Sequence, residues 1–336
     1  MSREDVTFWI TGETQRGMTL WEVNGVTPRR LGHRVLTLFM AVVAFGAILT
    51  SCGGSPTLAG TASTLTYCTN GGETLSLELY HPSAVPMKPV PVVVYFHGGG
   101  WEGGTPFIGP GTQIGDVESD VVNHGWDFAT VEYRLAPQWS WPAPIIDAKC
   151  AIRYLRASAA FLHIDASRIG VIGESAGGQL AAMAGLADQT AGFDVGQYVD
   201  QSSKVQAVVD EYGPADLAAP NWLSSPIAPA VNQAVFGVAP GGDTAALTAA
   251  SPVTYVGPGA PPFLVVQGAD DTVVAPAQST ELVDRLTAAH DEARLLMVQG
   301  AGHGLDQAGA LPIDPDLETV ASDVSSFYFS KLAQPG

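Results

Sequence analysis

Residues 173–178 read Gly-Glu-Ser-Ala-Gly-Gly, and this segment constrains the fold more than any other part of the sequence. The apolar run 168–172 before it predicts a buried strand, and the small-residue run 176–186 after it predicts a helix. Gly-x-Ser-x-Gly between a strand and a helix is typical of a sharp turn that exposes the serine. A side chain on either flanking glycine would clash with the neighbouring backbone. The segment therefore predicts that Ser175 stands at the carboxyl edge of a sheet, above a helix N-terminus that favours negative charge.

Strand and helix patterns alternate along most of the chain. Strands are predicted at 91–96, 128–133, 205–209, 262–266 and 294–298, and a hairpin at 64–79 with its turn at Asn70-Gly71-Gly72. The run 91–96 is continuously β-branched and aromatic, as in a strand that a parallel sheet buries on both faces. Apolar residues at helical spacing predict helices at 144–157, 281–289 and 317–332. This alternation predicts one α/β domain on a doubly wound, mostly parallel sheet.

One stretch, 218–250, interrupts the alternation. It is rich in proline and alanine and contains Trp222. We expect it to be an insertion that forms a small cap or lid over the sheet.

A second glycine-rich segment, His97-Gly98-Gly99-Gly100-Trp101, directly follows the strand predicted at 91–96. Consecutive glycines allow backbone N–H groups to converge on one point, which is what an oxyanion hole requires. We expect the N–H groups of Gly99 and Gly100 to form this hole together with that of Ala176. His97 is expected to order the glycine loop rather than to act as a base.

A nucleophilic serine needs a base, and the base needs a group that orients it. His303 lies between glycines just after the strand at 294–298, and Asp270 and Asp271 follow the strand at 262–266. Both loops therefore leave the sheet at the edge where Ser175 is expected. Spacing along the chain does not separate Asp270 from Asp271. Four other histidines lie in ordinary polar contexts and are weaker candidates for the base: His81, His124, His163 and His290.

These motifs together resemble the α/β-hydrolase esterases of the hormone-sensitive-lipase-like and feruloyl/acetyl-esterase-like group. The matching segments are 97–101 (HGGGW), 133–137 (YRLAP), 165–168, 173–178 (GESAGG), 212–217 (YGPADL), 251–255 (SPVTY) and 302–304 (GHG). In that group the acid lies in a Gly-x-x-Asp-x-x-Val motif, which selects Asp271 here, with Gly268 and Val274. Gln267 stands where the group usually has histidine, and Ala275 separates Val274 from the proline that usually follows at once.

The resemblance implies an α/β-hydrolase fold and ester hydrolysis by Ser175, His303 and Asp271, with a small-molecule ester as the partner. No organic cofactor is implied, and no clustered His, Cys or Asp spacing predicts a metal. Two alternatives are a peptidase of the prolyl-oligopeptidase kind and a binding module without catalysis. The first would need a propeller domain or a charged anchor for a peptide terminus, neither of which we identify. The second would be expected to lose Ser175 or His303.

The N-terminal region predicts export. Arg29, Arg30 and Arg34 precede the apolar run 35–49, whose 15 residues are fewer than the roughly 20 that span a bilayer. Leu49-Thr50-Ser51-Cys52 resembles a bacterial lipobox. We therefore expect a leader with a signal peptide at 1–51, a lipid on Cys52, a flexible tether at 52–63 and the hydrolase domain at 64–336. This predicts a protein on the outer face of a bacterial cell membrane, or a secreted one. The alternatives are an uncleaved N-terminal anchor and a cytosolic protein with a buried apolar helix.

The net charge and the cysteine content restrict which binding partners and which cellular compartment are expected. The formal charge of −18 opposes binding to nucleic acid, and attraction to anionic lipid is not expected, so a lipid anchor would be the sole membrane contact. If Cys52 carries lipid, Cys68 and Cys150 remain. An oxidising compartment would permit a disulfide between them. Alternatively, Cys150 is a small buried apolar residue of the helix at 144–157.

Overall fold

The structure, a computed structural model, describes residues 60–84 and 86–333. Within these ranges eight strands form: β1 (Gly60–Asn70), β2 (Glu73–Pro82), β3 (Val90–Phe96), β4 (Asp127–Val131), β5 (Ile164–Glu174), β6 (Ala207–Glu211), β7 (Phe263–Gly268) and β8 (Ala293–Val298). The α-helices of the same ranges are α1 (Gln113–Asn123), α2 (Ala143–Ala157), α3 (Ala159–Leu162), α4 (Ala176–Leu186), α5 (Pro220–Leu223), α6 (Ala228–Phe236), α7 (Ala245–Ala249), α8 (Pro276–Ala288) and α9 (Leu317–Lys331).

The strands form one sheet in the order β1-β2-β4-β3-β5-β6-β7-β8. The hairpin strands β1 and β2 pair antiparallel, and β2 also pairs antiparallel with β4, whereas the other pairs are parallel. The fold is therefore the doubly wound, mostly parallel α/β-hydrolase sheet expected from the sequence. Its parallel strands all end at one edge, which brings together the loops that follow β3, β5, β7 and β8.

Strand β3 shows why a continuous apolar run belongs in the middle of such a sheet. Val92, Val94 and Phe96 pack into the core on one side, with α2, α4 and α8. Val93 and Tyr95 pack into the core on the other side, with α1 and α9. Alternate side chains of a strand point to opposite faces, so burial on both faces requires apolar residues at every position.

The first strand begins earlier than the predicted domain start at 64. Gly60 pairs with Pro82 and Ser63 with Leu79, so the hairpin extends the sheet into the part of the chain that was expected to be tether. The predicted leader, the lipid site at Cys52 and residues 52–59 of the tether lie outside the described residues. Among the helices that are described, none has the length and apolar character needed to cross a bilayer.

The stretch 218–250 lies between β6 and β7 and forms the short helices α5, α6 and α7. Trp222 of α5 is buried, with its ring 6.5 Å from that of Trp101 in the glycine loop. The Phe236 ring of α6 lies 5.3 Å from the same Trp101 ring. These contacts seat the insertion against the loop that follows β3.

Cys68 of β1 and Cys150 of α2 form a disulfide whose Cα atoms are 6.5 Å apart. Both residues are buried in the core on the α2 side of the sheet. The bond ties the edge hairpin to the helix that covers it. Of the two possibilities left open by the sequence, the structure therefore contains the bonded pair.

Candidate active site

Ser175 occupies the turn between β5 and α4 in a strained backbone conformation, with φ 52° and ψ −113°. The glycines around it leave no room for side chains. A Cβ on Gly173 would overlap the carbonyl oxygen of Gly177, and a Cβ on Gly177 would overlap that of Phe96. The Ser175 N–H donates to the Glu211 carbonyl oxygen at 2.8 Å, which ties the turn to the end of β6. The hydroxyl is thereby held at the carboxyl edge of the sheet.

His303 joins this serine to a buried carboxylate. Its Nε2 lies 2.9 Å from the Ser175 Oγ, and its Nδ1 lies 2.8 Å from Oδ2 of Asp271. His303 begins a short 3₁₀ turn after β8, and its side chain is 24% exposed, so the ring is open on one side. The three residues come from loops after β5, β7 and β8, and the sheet edge brings them into one hydrogen-bonded row.

Of the two adjacent aspartates, only Asp271 contacts the histidine. Asp271 is buried, and its Oδ1 accepts hydrogen bonds from the backbone N–H groups of Val273 and Val274 at 2.8 and 2.9 Å. Asp270 is exposed. Burial raises the pKa of the Asp271 carboxyl, but the hydrogen bonds from His303 and the backbone outweigh it and leave the pKa below the ordinary value. Asp271 therefore remains ionised beside the imidazole at neutral pH.

The glycine loop after β3 passes beside Ser175. A Cβ built on Gly98 would lie 3.6 Å from the Ser175 Cβ. Gly99 and Gly100 have φ values of +118° and +63°, which only glycine adopts without strain. Ala176 is the first residue of α4, where the N–H groups of a helix lack intrahelical acceptors. The three expected oxyanion residues therefore lie on the two segments that flank Ser175.

His97 is buried within this loop and does not contact the serine. Its ring stacks on Tyr133 at 4.2 Å, and its Nδ1 donates to the Gly98 carbonyl oxygen at 2.8 Å. The Tyr133 hydroxyl in turn donates to the His97 carbonyl oxygen at 2.6 Å. Burial lowers the pKa of His97, which keeps the imidazole neutral. These contacts fit the ordering role that was expected from the sequence.

Two further residues contact the triad without having been singled out by sequence pattern as parts of the site. The Tyr212 ring meets the His303 ring edge-on at 5.1 Å, and the Tyr212 hydroxyl donates to Glu174. The side-chain amide of Gln267 donates to Asp271 Oδ2 at 3.0 Å. The resemblance had marked Gln267 only as a departure from the usual residue. Within residues 60–84 and 86–333, no three His, Cys, Asp or Glu side chains are grouped so as to hold a metal ion.

The sheet order, with a serine turn after β5 and a histidine after the last strand, defines an α/β-hydrolase. A family model described as BD-FAE matches residues 77–286, and this chain belongs to that family. The matched region includes Ser175 and Asp271 and ends before His303.

Similar curated proteins are named as esterases. Esterase LipC of Mycobacterium tuberculosis is 31% identical over 262 residues, which cover 76% of this chain and 63% of LipC. Esterase LipQ of the same organism is 31% identical over 221 residues, which cover 66% of this chain and 51% of LipQ. The chain thus spans about half to two thirds of the length of these relatives.

Solved structures share the fold over nearly their whole length. A truncated carbohydrate esterase from gut microbiota has a TM-score of 0.68 at 25% identity, over 84% of this chain and all of that chain. The propionate-bound esterase Est2 of Thermogutta terrifontis has a TM-score of 0.65 at 23% identity, over 84% of this chain and 98% of that chain. The second likeness concerns the fold alone.

Proposed function

We propose that this protein is a serine carboxylesterase that hydrolyses small or carbohydrate-linked carboxylic esters through an acyl-enzyme on Ser175. The observation that carries the proposal is the unbroken row from Ser175 Oγ to His303 to Asp271, with distances of 2.9 and 2.8 Å. A serine, a base and an orienting carboxylate in this order are the parts of nucleophilic acyl transfer. The esterase names of the relatives support the same reaction class.

In the acylation step, Ser175 Oγ attacks the ester carbonyl carbon while His303 Nε2 takes the hydroxyl proton. Asp271 accepts from His303 Nδ1, which selects the tautomer with a free Nε2 and stabilises the imidazolium. The carbonyl oxygen becomes an oxyanion, to which the backbone N–H groups of Gly99, Gly100 and Ala176 donate. The C–O bond then breaks, and the alcohol leaves with the proton from His303.

Deacylation repeats these steps with water as the nucleophile. His303 takes a proton from water as its oxygen attacks the acyl carbon, and the same backbone N–H groups stabilise the second oxyanion. The bond to Ser175 Oγ breaks, the serine recovers its proton from His303, and the carboxylic acid leaves. Every proton is returned, so the chain's own residues complete the cycle.

The substrate class is supported by two observations. The similar structure from gut microbiota is named a carbohydrate esterase. Helix α6 lies over the glycine loop, since a Cβ built on Gly100 would be 3.8 Å from Val231 Cγ2. We assign 218–250 as a cap that limits the space beside the oxyanion hole and so sets which acyl groups fit.

The test is a pair of histidine variants and a serine variant, assayed on p-nitrophenyl acetate. Ser175→Ala and His303→Ala should abolish turnover, whereas His290→Ala, an exposed histidine on the loop after α8, should leave it unchanged. Fluorophosphonate should label the wild type and not Ser175→Ala. Turnover that survives in Ser175→Ala would overturn the proposal. A panel of acetyl, butyryl, octanoyl and feruloyl esters set against aminoacyl amides separates an esterase from a peptidase.

The location of the protein is part of the same proposal. The lipobox-like segment 49–52 supports a lipid on Cys52 that anchors the enzyme to the outer face of the cell membrane. Cell fractionation tests this, because Cys52→Ala should move the protein from the membrane fraction to the soluble fraction. An unchanged distribution would contradict the lipid anchor without affecting the esterase assignment.

A further inference from the structure

Gln267 is the penultimate residue of β7, and its fully buried side chain faces Asp271. Its Nε2 donates to Asp271 Oδ2 at 3.0 Å. The same nitrogen faces the carbonyl oxygens of Gly268 and Val274 at 3.2 and 3.4 Å. Its Oε1 accepts from the hydroxyl of Ser279 in α8 at 2.7 Å. The side chain thus bridges α8 and the catalytic carboxylate.

The chemistry of these neighbours fixes the orientation of the amide. Nε2 is surrounded by three oxygens that only accept hydrogen bonds, namely a carboxylate oxygen and two carbonyl oxygens. A flipped amide would place Oε1 against all three and leave each without this donor. The Ser279 hydroxyl donates to Oε1 in the observed orientation and so reinforces it. The amide therefore presents its N–H to Asp271 in a single arrangement.

We infer that Gln267 is a positioning residue of the catalytic row, whose amide, oriented by Ser279, holds Asp271 Oδ2 in line with His303. Oδ2 accepts from both His303 and Gln267, while Oδ1 accepts from two backbone N–H groups. Donors on both oxygens prevent the carboxylate from rotating about its bond to Cβ. The inference rests on the proposed esterase function, because it concerns the same triad.

Loss of this N–H has two consequences for the reaction. The carboxylate keeps three of its four donors but turns more readily, so the imidazole is aligned for a smaller fraction of the time and kcat falls. A carboxylate with one donor fewer also attracts the imidazolium proton more strongly, which shifts the acid limb of the kcat profile to higher pH. Hydrogen bonds to charged groups are strong enough for the loss to reach about tenfold or more in kcat. KM should change little, because the Gln267 side chain is fully buried.

Gln267→Leu is the direct test, and Gln278→Leu is its matched control. Gln278 is also a fully buried glutamine, but it bonds the backbone of Ala215 and Asp216 and the side chain of Asn221 rather than the triad. Both variants should lower Tm. Only Gln267→Leu should lower kcat about tenfold and move the acid limb upward, and Gln267→Glu should move the limb further by adding a like charge.

A double-mutant cycle separates positioning from general destabilisation. In an Asp271→Asn background, Gln267→Leu should reduce kcat by less than about twofold, because the group that it positions is already lost. An equal loss of kcat in both backgrounds would overturn the inference. If Gln267→Leu does not fold, Ser279→Ala takes its place in the same cycle. A smaller loss of kcat is expected, and only in the wild-type background. Absence of that loss would overturn the inference. A wild type that fluorophosphonate does not label would instead count against the proposed function.

Discussion

The Tyr212 hydroxyl donates a hydrogen bond of 2.5 Å to Oε1 of Glu174, the residue that precedes Ser175. Tyr95 donates to the other oxygen of the same carboxyl group. The Tyr212 ring also contacts His303 edge-on. Glu174 is therefore held by two tyrosines, one from β3 and one from the loop after β6, and the second also packs against His303.

Tyr212→Phe separates the hydroxyl from the ring. We expect the free energy of unfolding to fall by about 1 kcal/mol, because a half-buried carboxyl oxygen loses its donor. Activity should change little, since the ring edge still contacts His303. Tyr212→Ala removes the ring as well and should lower kcat clearly more. Urea unfolding and kcat on p-nitrophenyl acetate measure the two effects, and equal kcat values for both variants would contradict a bracing role of the ring.

The adjacent aspartates offer an internal control. Asp271→Asn keeps the shape of the side chain but no longer holds His303 in the productive tautomer, and a loss in kcat of about 10³-fold or more is expected. Asp270→Asn should leave kcat within about twofold, because Asp270 is exposed and takes no part in the row. A large loss in Asp270→Asn would mean that the loop exchanges its carboxylates during the reaction.

Gly99→Ala tests the oxyanion loop. A Cβ at this position would overlap the backbone of Gly103, so the loop must shift. Its N–H groups would then no longer point at the oxyanion. Loss of one oxyanion donor lowers kcat by about 10²–10³-fold. Gly72→Ala is the control for backbone strain, since its φ is +89° and a Cβ there meets nothing within 4 Å. We expect Gly72→Ala to lower Tm only; a similar kcat loss in both variants would assign the effect to strain.

The disulfide between Cys68 and Cys150 spans 82 residues of sequence. In the chain-entropy model, closing a loop of this length stabilises the fold by about 4–5 kcal/mol. Reduction should therefore lower the free energy of unfolding by up to this amount. Titration of thiols in denaturant with and without prior reduction should differ by two per chain. An unchanged thiol count would show that the pair is not bonded in the protein as isolated.

Asp210 at the end of β6 predicts how stability depends on pH. Burial raises the pKa of its carboxyl to about 7, since among the described residues only the Gly213 N–H, at 2.9 Å, donates to it and none contacts Oδ2. The native state keeps this proton up to about pH 7, whereas the unfolded chain releases it near pH 4. The stability that this group contributes is thus complete below pH 4 and falls as the pH rises to about 7, by at most about 1.4 kcal/mol per pH unit.

Asp210→Asn should reduce this slope, because the amide has nearly the same shape and does not titrate. The slope does not vanish, because burial also raises the pKa of Glu118 and of Glu211. Urea unfolding at pH 4, 5.5 and 7 gives the slope for both proteins. The low pKa of Asp271 acts in the opposite direction, but only below about pH 4, and so does not mask the effect. Identical slopes in the two proteins would contradict the assigned ionisation of Asp210.

Local pattern predicted most of the sheet but not every element. Helix α1, whose Ile114, Val117 and Val121 pack against α9, was not anticipated because polar residues surround its narrow apolar stripe. The turn signal at Asp165 is present as a hydrogen bond from the Ser167 N–H to Oδ1, yet the residues belong to β5. Pairing with β3 resumes after a register shift at this point, so the turn lies within β5 as an irregularity of the strand.

Local sequence patterns predict those parts of the site whose residues are close together along the chain. Glycines at 173 and 177 are needed wherever a serine turns from strand to helix, and apolar runs before each loop place Ser175 and His303 at the same edge. Contacts between distant loops depend instead on how the chain folds. Spacing left Asp270 and Asp271 open, and the family resemblance selected Asp271. The folded loop places Asp271 at His303 and turns the Gln267 amide toward that carboxylate. Such contacts depend on which side chains face inward where loops from distant strands meet. The spacing of residues along the chain does not give that orientation.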